Sequence, residues 1–137
     1  KAETVLSREA IWYSKVTEPN FLLALTQASL DTYSGTLAEG AVVMMDDSLH
    51  IPEGLDPARV ISIPILRTAK ETVGKAFTAN IVAVGAINRA LQLFDEKVLM
   101  EGVRRHIPAG TEEINRKCKF GKGFNVFAGF EYLHFSD

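Results

Sequence analysis

Phe21-Leu22-Leu23-Ala24-Leu25-Thr26-Gln27 is the stretch on which the fold turns. Five apolar residues stand in a row with no polar alternation, just after Pro19-Asn20. A short, wholly apolar run suits a strand covered on both faces, as in a parallel sheet flanked by helices. The period changes after Thr26-Gln27: Leu30, Tyr33 and Leu37 recur at helical spacing, and Gly40 closes the segment. A second run, Ala41-Val42-Val43-Met44-Met45, ends in Asp46-Asp47-Ser48. A third, Val60-Ile61-Ser62-Ile63, is followed by Pro64, which suits a strand's end. Between them, Pro52-Glu53-Gly54-Leu55-Asp56-Pro57 has turn chemistry.

Working outward, the first fifteen residues alternate. Ala2, Thr4 and Leu6 share one face, and Lys1, Glu3 and Val5 the other. The pattern resumes after Ser7-Arg8-Glu9 at Ala10-Ile11-Trp12-Tyr13, which predicts an N-terminal hairpin of two strands. Towards the C-terminus, residues 66–73 predict a short helix and 78–93 a longer one. The first three turns of the longer helix are apolar on nearly every side, which predicts burial all round. Asp95 can cap the next helix, whose stripe is Val98, Leu99, Val103 and Ile107, with Arg104, Arg105 and His106 complementing its C-terminal dipole. A last helix is expected over 112–127, with Ile114, Cys118, Gly121 and Phe124 on one face; a turn at Gly121-Lys122-Gly123 is the alternative. Strand–helix–strand–strand followed by helices predicts one three-layer α/β domain over residues 1–137.

Composition excludes several functions. The 137 residues are 47% hydrophobic and 23% charged, an ordinary globular balance. Fifteen basic residues against seventeen acidic ones argue against general nucleic-acid binding. The single cysteine, Cys118, cannot form an intrachain disulfide or hold an iron–sulfur cluster alone. The lack of a disulfide framework agrees with a cytoplasmic setting. No run reaches the ~18 apolar residues of a membrane helix, and no signal peptide opens the chain. The sequence starts at Lys1 without an initiator Met, so a fragment or a trimmed chain is expected.

Familiar catalytic patterns are missing. His50, His106 and His134 are far apart and lack metal-ligand spacing. There is neither a Gly-x-Ser-x-Gly elbow nor a Gly-x-Gly-x-x-Gly phosphate loop. Cys118 lies in a basic stretch that would favour a thiolate, but it has no histidine nearby; the plainer reading is a small core residue. Asp46 and Asp47 could hold Mg²⁺, or Asp47 could act as a base; the plainer reading of two adjacent acids after a strand is loop and cap residues. What remains is position. Ligands in open parallel sheets bind beyond the carboxyl ends of the strands. Those ends carry Thr26-Gln27 and Asp46-Asp47-Ser48, and Asn80 begins the long helix, where exposed N–H groups attract anions. Thr26, Gln27, Asp47, Ser48 and Asn80 are the candidate cofactor-binding residues, and capping is the competing reading. Charge is uneven too: residues 102–122 carry six basic and two acidic side chains, a solvated face or a docking patch for an acidic partner. Five of the eight Phe lie beyond residue 119, and they suit either a core or an interface.

The order of these stretches resembles the gamma subunit of 2-oxoacid:ferredoxin oxidoreductases, equivalent to the gamma domain of pyruvate:ferredoxin oxidoreductase. The resemblance rests on KAETVLSREAI, NFLLALTQASLDTY, GAVVMMDDS, VISIPI, TANIVAVGAINRALQLFDEKVLMEGVRRHI and EINRKCKFGKGF, in that order through nearly the whole chain. It implies a Rossmann-like domain with a mostly parallel sheet. It also implies truncation at the N-terminus, because the family's first strand and Gly-x-Gly-Gly-Gln-Gly loop do not appear. The resemblance further implies an enzyme that oxidatively decarboxylates a 2-oxoacid to acyl-CoA and reduces ferredoxin. Thiamine diphosphate and [4Fe-4S] clusters would then lie in the alpha, beta and cluster-bearing subunits. This chain would serve assembly and coenzyme A binding at the strand ends, with a homodimer expected in isolation. The rival expectations are an interaction subunit without ligand and an independent nucleotide-binding α/β protein.

Overall fold

A computed structural model describes residues 1–13, 15–71 and 79–106. The chain divides into two compact units, Lys1–Ile63 and Pro64–Asp137. The first holds β1 (Phe21–Ala24), α1 (Gln27–Tyr33), β2 (Val42–Asp46) and β3 (Val60–Ile63). The three strands form a parallel sheet in the order β1-β2-β3. Phe21 lies beside Val42 and Ala24 beside Met45, while Val43 lies beside Val60 and Asp46 beside Ile63. All three apolar runs are therefore strands, and Pro64 follows the last of them.

The central strand explains its own composition. Val43, Met44, Met45 and Asp46 are all buried, so both faces of β2 are covered. On one face, Ala24, Val43 and Met45 pack with Leu30 of α1 and with Leu55. Leu22, Leu37, Leu49 and Val60 lie against this cluster. Leu49 and Leu55 come from the long connection between β2 and β3. That connection crosses the sheet without an α-helix yet still covers it with side chains. It turns at Gly54, whose φ of +87° is open to glycine without strain.

Backbone bonds tie down the amino end of the sheet. Ala38 N–H donates to the Pro19 carbonyl at 3.1 Å, and Val42 N–H to the Asn20 carbonyl at 2.9 Å. Arg59 stands over the same end. Its Nε donates to the Ala41 carbonyl at 2.7 Å and its Nη2 to the Ala38 carbonyl at 3.1 Å.

Two expectations for this unit are corrected. The N-terminal hairpin is not formed: among the described residues, none before Phe21 is in a strand. Leu6, Ile11 and Tyr13 are exposed, and Trp12 is 91% exposed. An alternating pattern needs a surface that buries one face, and a two-stranded ribbon without one is marginal. The helix after β1 also stops early, at Tyr33, and tightens into a 3₁₀ turn over Ser34–Thr36. Leu37 is extended yet reaches the core, so its helical spacing misled about backbone but not about burial.

The second unit contains α2 (Ile65–Glu71), α3 (Ala79–Leu91) and α4 (Glu96–His106). Helices α2 and α3 pack together. Burial in α3 is narrower than its composition predicts. Ala79, Ala83, Gly85 and Ala90 are buried, Ile81, Val82 and Ile87 are half-buried, and Val84 is exposed. The buried positions are the small ones, which let backbones approach closely. Gln92 ends α3 in the left-handed region at φ +48°, its N–H bonded to the Asn88 carbonyl at 2.8 Å. Asp95 caps α4 as expected, accepting the N–H of Lys97 at 2.8 Å. The apolar stripe of α4 is only partly covered: Leu99 and Val103 are half-buried, whereas Val98 is exposed. Ile107, the helix expected over 112–127, Cys118, His134 and the phenylalanines beyond residue 119 lie outside the described residues.

Candidate functional site

The carboxyl ends of β1 and β2 carry the candidate site. The chain leaves β1 through Leu25 and enters α1 with Thr26 as its N-cap. Thr26 is extended at φ −138°, and its side chain accepts the N–H of Ser29 at 3.4 Å. Its hydroxyl also donates to Ser29 Oγ at 2.9 Å. Next along, Gln27 is the first residue of α1, and its side chain turns towards the loop that follows β2. Its Oε1 accepts the His50 N–H at 2.9 Å, and its Nε2 donates to the His50 carbonyl at 3.0 Å and to Asp31 Oδ1 at 2.8 Å.

At the end of β2 the backbone turns around Asp46. This carboxylate is 1% exposed, the one charged side chain among the buried residues described. Its Oδ1 accepts both the N–H of Ser48 at 3.1 Å and the Ser48 hydroxyl at 2.5 Å. A buried carboxylate is costly unless hydrogen-bonded, and Ser48 supplies two of the bonds. Leu49 N–H closes the turn onto the Asp46 carbonyl at 3.1 Å. Asp47 is exposed, and its N–H donates to the Ile63 carbonyl at 3.0 Å and so prolongs the β2–β3 ladder.

Four of the five candidate residues, Thr26, Gln27, Asp47 and Ser48, thus meet at the ends of adjacent parallel strands. Asn80 belongs to the second unit, in the first turn of α3. It is exposed, and its Oδ1 accepts the N–H of Ile81 at 2.9 Å. Sequence reading missed the roles of Asp31, His50 and Arg59. The one available signal was the i,i+4 spacing of Gln27 and Asp31, which puts them on one helix face. Chemically, the strand ends offer exposed hydroxyl-bearing residues and the exposed Asp47 on hydrogen-bonded loops. Among the described residues, no three His, Cys, Asp or Glu gather as metal ligands. No described helix is long and apolar enough to cross a membrane.

Comparison with known proteins gives this geometry a family. Residues 1–131 match the family described as Pyruvate ferredoxin/flavodoxin oxidoreductase. The chain is 34% identical over 128 residues to the 2-oxoglutarate synthase subunit KorC of Methanocaldococcus jannaschii, an alignment covering 92% of this chain and 68% of that one. Identity to the 2-oxoglutarate synthase subunit KorC of Methanothermobacter marburgensis is 35% over 121 residues, or 84% of this chain and 65% of the other. The crystal structure of the keto/oxoacid ferredoxin oxidoreductase gamma subunit from Geobacter sulfurreducens PCA superposes with a TM-score of 0.67 at 34% identity, covering 77% of this chain and 61% of that one. The chain spans about two thirds of the length of these relatives. The family match, these identities and the superposition agree: the chain belongs to the pyruvate ferredoxin/flavodoxin oxidoreductase family and is of the gamma-subunit type found in 2-oxoacid:ferredoxin oxidoreductases.

Proposed function

We propose that this chain works as the gamma component of a complex that oxidatively decarboxylates a 2-oxoacid to an acyl-CoA, with the electrons passing to ferredoxin. Its share is assembly surface and the positioning of coenzyme A at the strand ends, with its two units serving one gamma-type domain. The name of the KorC relatives, 2-oxoglutarate synthase, supports 2-oxoglutarate as the 2-oxoacid. Thiamine diphosphate and the [4Fe-4S] clusters belong to the alpha, beta and cluster-bearing partners, since one cysteine cannot supply a cluster's four thiolates.

The observation that carries the coenzyme A reading is the convergence of Thr26 and Asp47-Ser48 beyond the ends of neighbouring parallel strands. The residues suit particular parts of that molecule. The hydroxyls of Thr26 and Ser48 place their hydrogens on Ser29 Oγ and Asp46 Oδ1, and their remaining lone pairs can accept from the amide N–H and hydroxyl groups of that molecule. The Asp47 carboxylate suits a ribose hydroxyl or an amino group and would repel a phosphate. Holding the thiol carrier in place removes entropy from the barrier of acyl transfer and requires no proton transfer by this chain.

A second reading has its own support. The side chains of Thr26, Gln27, Ser48 and Asn80 are all hydrogen-bonded within the protein, which is what a purely assembling subunit would also show. Titration calorimetry with coenzyme A separates the two, on the full-length chain alone and on the complex with its partners. The proposal expects saturable binding that weakens about ten-fold, the value of one good hydrogen bond, in Thr26→Ala. Unchanged affinity in both Thr26→Ala and Asp47→Asn would leave assembly as the role of this chain.

A further inference from the structure

Gln27 is written into the sequence as a polar residue at a strand end, the position of a ligand contact, but the structure has already committed its amide. One face of the amide pairs reciprocally with the backbone of His50, accepting its N–H and donating to its carbonyl. The second Nε2 hydrogen is directed at Asp31 Oδ1. The amide therefore spends both hydrogens and one lone pair inside the protein. It joins two segments 23 residues apart, with β2 between them. At one end of this bridge stand Thr26 and Ser29; at the other stands the Asp46-to-His50 turn with Ser48. Each strand-end turn has its own local bonds, but Gln27 is a link between them.

We infer that Gln27 is a positioning residue, not a ligand: it locks the turn after β2 to the first turn of α1, and coenzyme A binding at the strand ends depends on that union. The inference rests on the coenzyme A reading above. Without the bridge, a ligand touching both Thr26 and Ser48 must first order two independent turns, and that entropy comes out of its affinity. The bridge is short-armed and planar, so only a side chain of this length with both donor and acceptor can make it. Asn is one methylene too short. Glu keeps the acceptor for the His50 N–H but sets a carboxylate against the His50 carbonyl and the Asp31 carboxylate.

The test uses the assembled complex and three variants of this subunit, Gln27→Ala, Gln27→Glu and Thr26→Ala. Amide hydrogen exchange reads the bridge and steady-state kinetics read coenzyme A. Gln27→Ala is expected to speed exchange at His50 by about ten-fold, the worth of one net hydrogen bond. It should also raise KM for coenzyme A by a larger factor than it lowers kcat. Gln27→Glu should show the same defect at neutral pH and recover His50 protection in acid, where the introduced carboxyl is protonated and donates again. That acid recovery is a signature that general loosening would not give, and it stands even if Gln27→Ala folds poorly. Unchanged His50 exchange in both Gln27 variants would overturn the bridge. Faster exchange with an unaltered KM would overturn the positioning role. Thr26→Ala reports separately on the underlying reading: if it leaves KM for coenzyme A unchanged while Gln27→Ala raises it, the strand-end contact fails and the bridge survives.

Discussion

Replacing Arg59 with Met measures what the amino end of the sheet contributes to stability. The guanidinium reaches two carbonyls on the segment leading into β2, Ala41 at 2.7 Å and Ala38 at 3.1 Å. Ala41 is 2% exposed, so water is a poor substitute there. The Ala38 carbonyl also receives the Ala41 N–H at 3.1 Å, which softens its loss. Met retains the apolar stem of Arg, so packing is largely preserved and the difference falls on the hydrogen bonds. A hydrogen bond from a charged donor contributes about 1.5–3 kcal/mol, so one full loss and one partial loss predict a cost of roughly 2–4 kcal/mol. Urea unfolding of the purified chain reads this as a lower midpoint at constant slope. Arg59→Lys should recover less than half of the loss, because an ammonium is a point donor and cannot fork to two carbonyls in the plane of a guanidinium. A cost for Arg59→Met below about 0.5 kcal/mol, the scatter of ordinary surface substitutions, would refute the argument. Full recovery in Arg59→Lys would refute the part that rests on geometry.

Leu30→Ala should cost about 3 kcal/mol in the same assay, since Leu30 is fully buried between α1 and the sheet. Leu6→Ala, at an exposed position, should change stability by less than about 0.5 kcal/mol. Gln92→Gly should raise stability by roughly 0.5–1 kcal/mol, the left-handed cost of a side chain less the extra unfolded-state entropy of glycine; thermal unfolding checks the sign. The Lys1 ammonium lies 2.5 Å from the Glu3 carboxylate, and this bond holds the Glu3 carboxyl below 4.5 and the Lys1 amine above 10.5. Whatever stability the pair adds is therefore present above the usual carboxylate value, fades as pH falls through the lowered one, and fades again as pH rises through the raised amine value. An NMR titration should find the Glu3 midpoint below 4.5 in dilute buffer and nearer 4.5 in concentrated salt.

β2 could be read from the sequence because burial on both faces leaves a continuous apolar run, a local signal that needs no knowledge of partners; β3, whose Ser62 is exposed, was marked by its β-branched residues and by Pro64 after it. The Asp95 cap was readable for the same reason: donor and acceptor are two residues apart. The N-terminal hairpin failed where locality fails. Alternation in residues 1–13 says which side chains share a face, but not whether anything covers that face, and Trp12 remains in solvent. The α1 region failed more subtly. Spacings of three and four residues serve an α-helix and a 3₁₀ turn alike, so Leu37 was placed correctly in the core by a helix that had already ended. In α3, composition promised burial all round, but only the alanine and glycine positions obtained it.

The strand-end residues show why polarity at the right place is not yet a binding site. Position alone nominated Thr26, Gln27, Asp47 and Ser48, and all four lie just beyond the carboxyl ends of β1 and β2. Their hydrogen-bonding capacity is a separate matter. A hydroxyl carries one hydrogen and two lone pairs, so Thr26 can cap α1 and Ser48 can hold Asp46 while each retains acceptor capacity. An amide that has placed both hydrogens has no donor left for a phosphate, and Gln27 has placed both. The same pairing recurs at the α3–α4 turn, where Asn88 accepts the Phe94 N–H at 2.9 Å and donates to the Phe94 carbonyl at 3.0 Å. Twice among the described residues, a primary amide opposes a single residue's N–H and carbonyl in the manner of a one-residue strand. Such a side chain ties one stretch of backbone to another without strand pairing. An amide at a strand end is therefore to be judged by its remaining valences: where these are spent, the residue shapes the site, and the contacts pass to its neighbours.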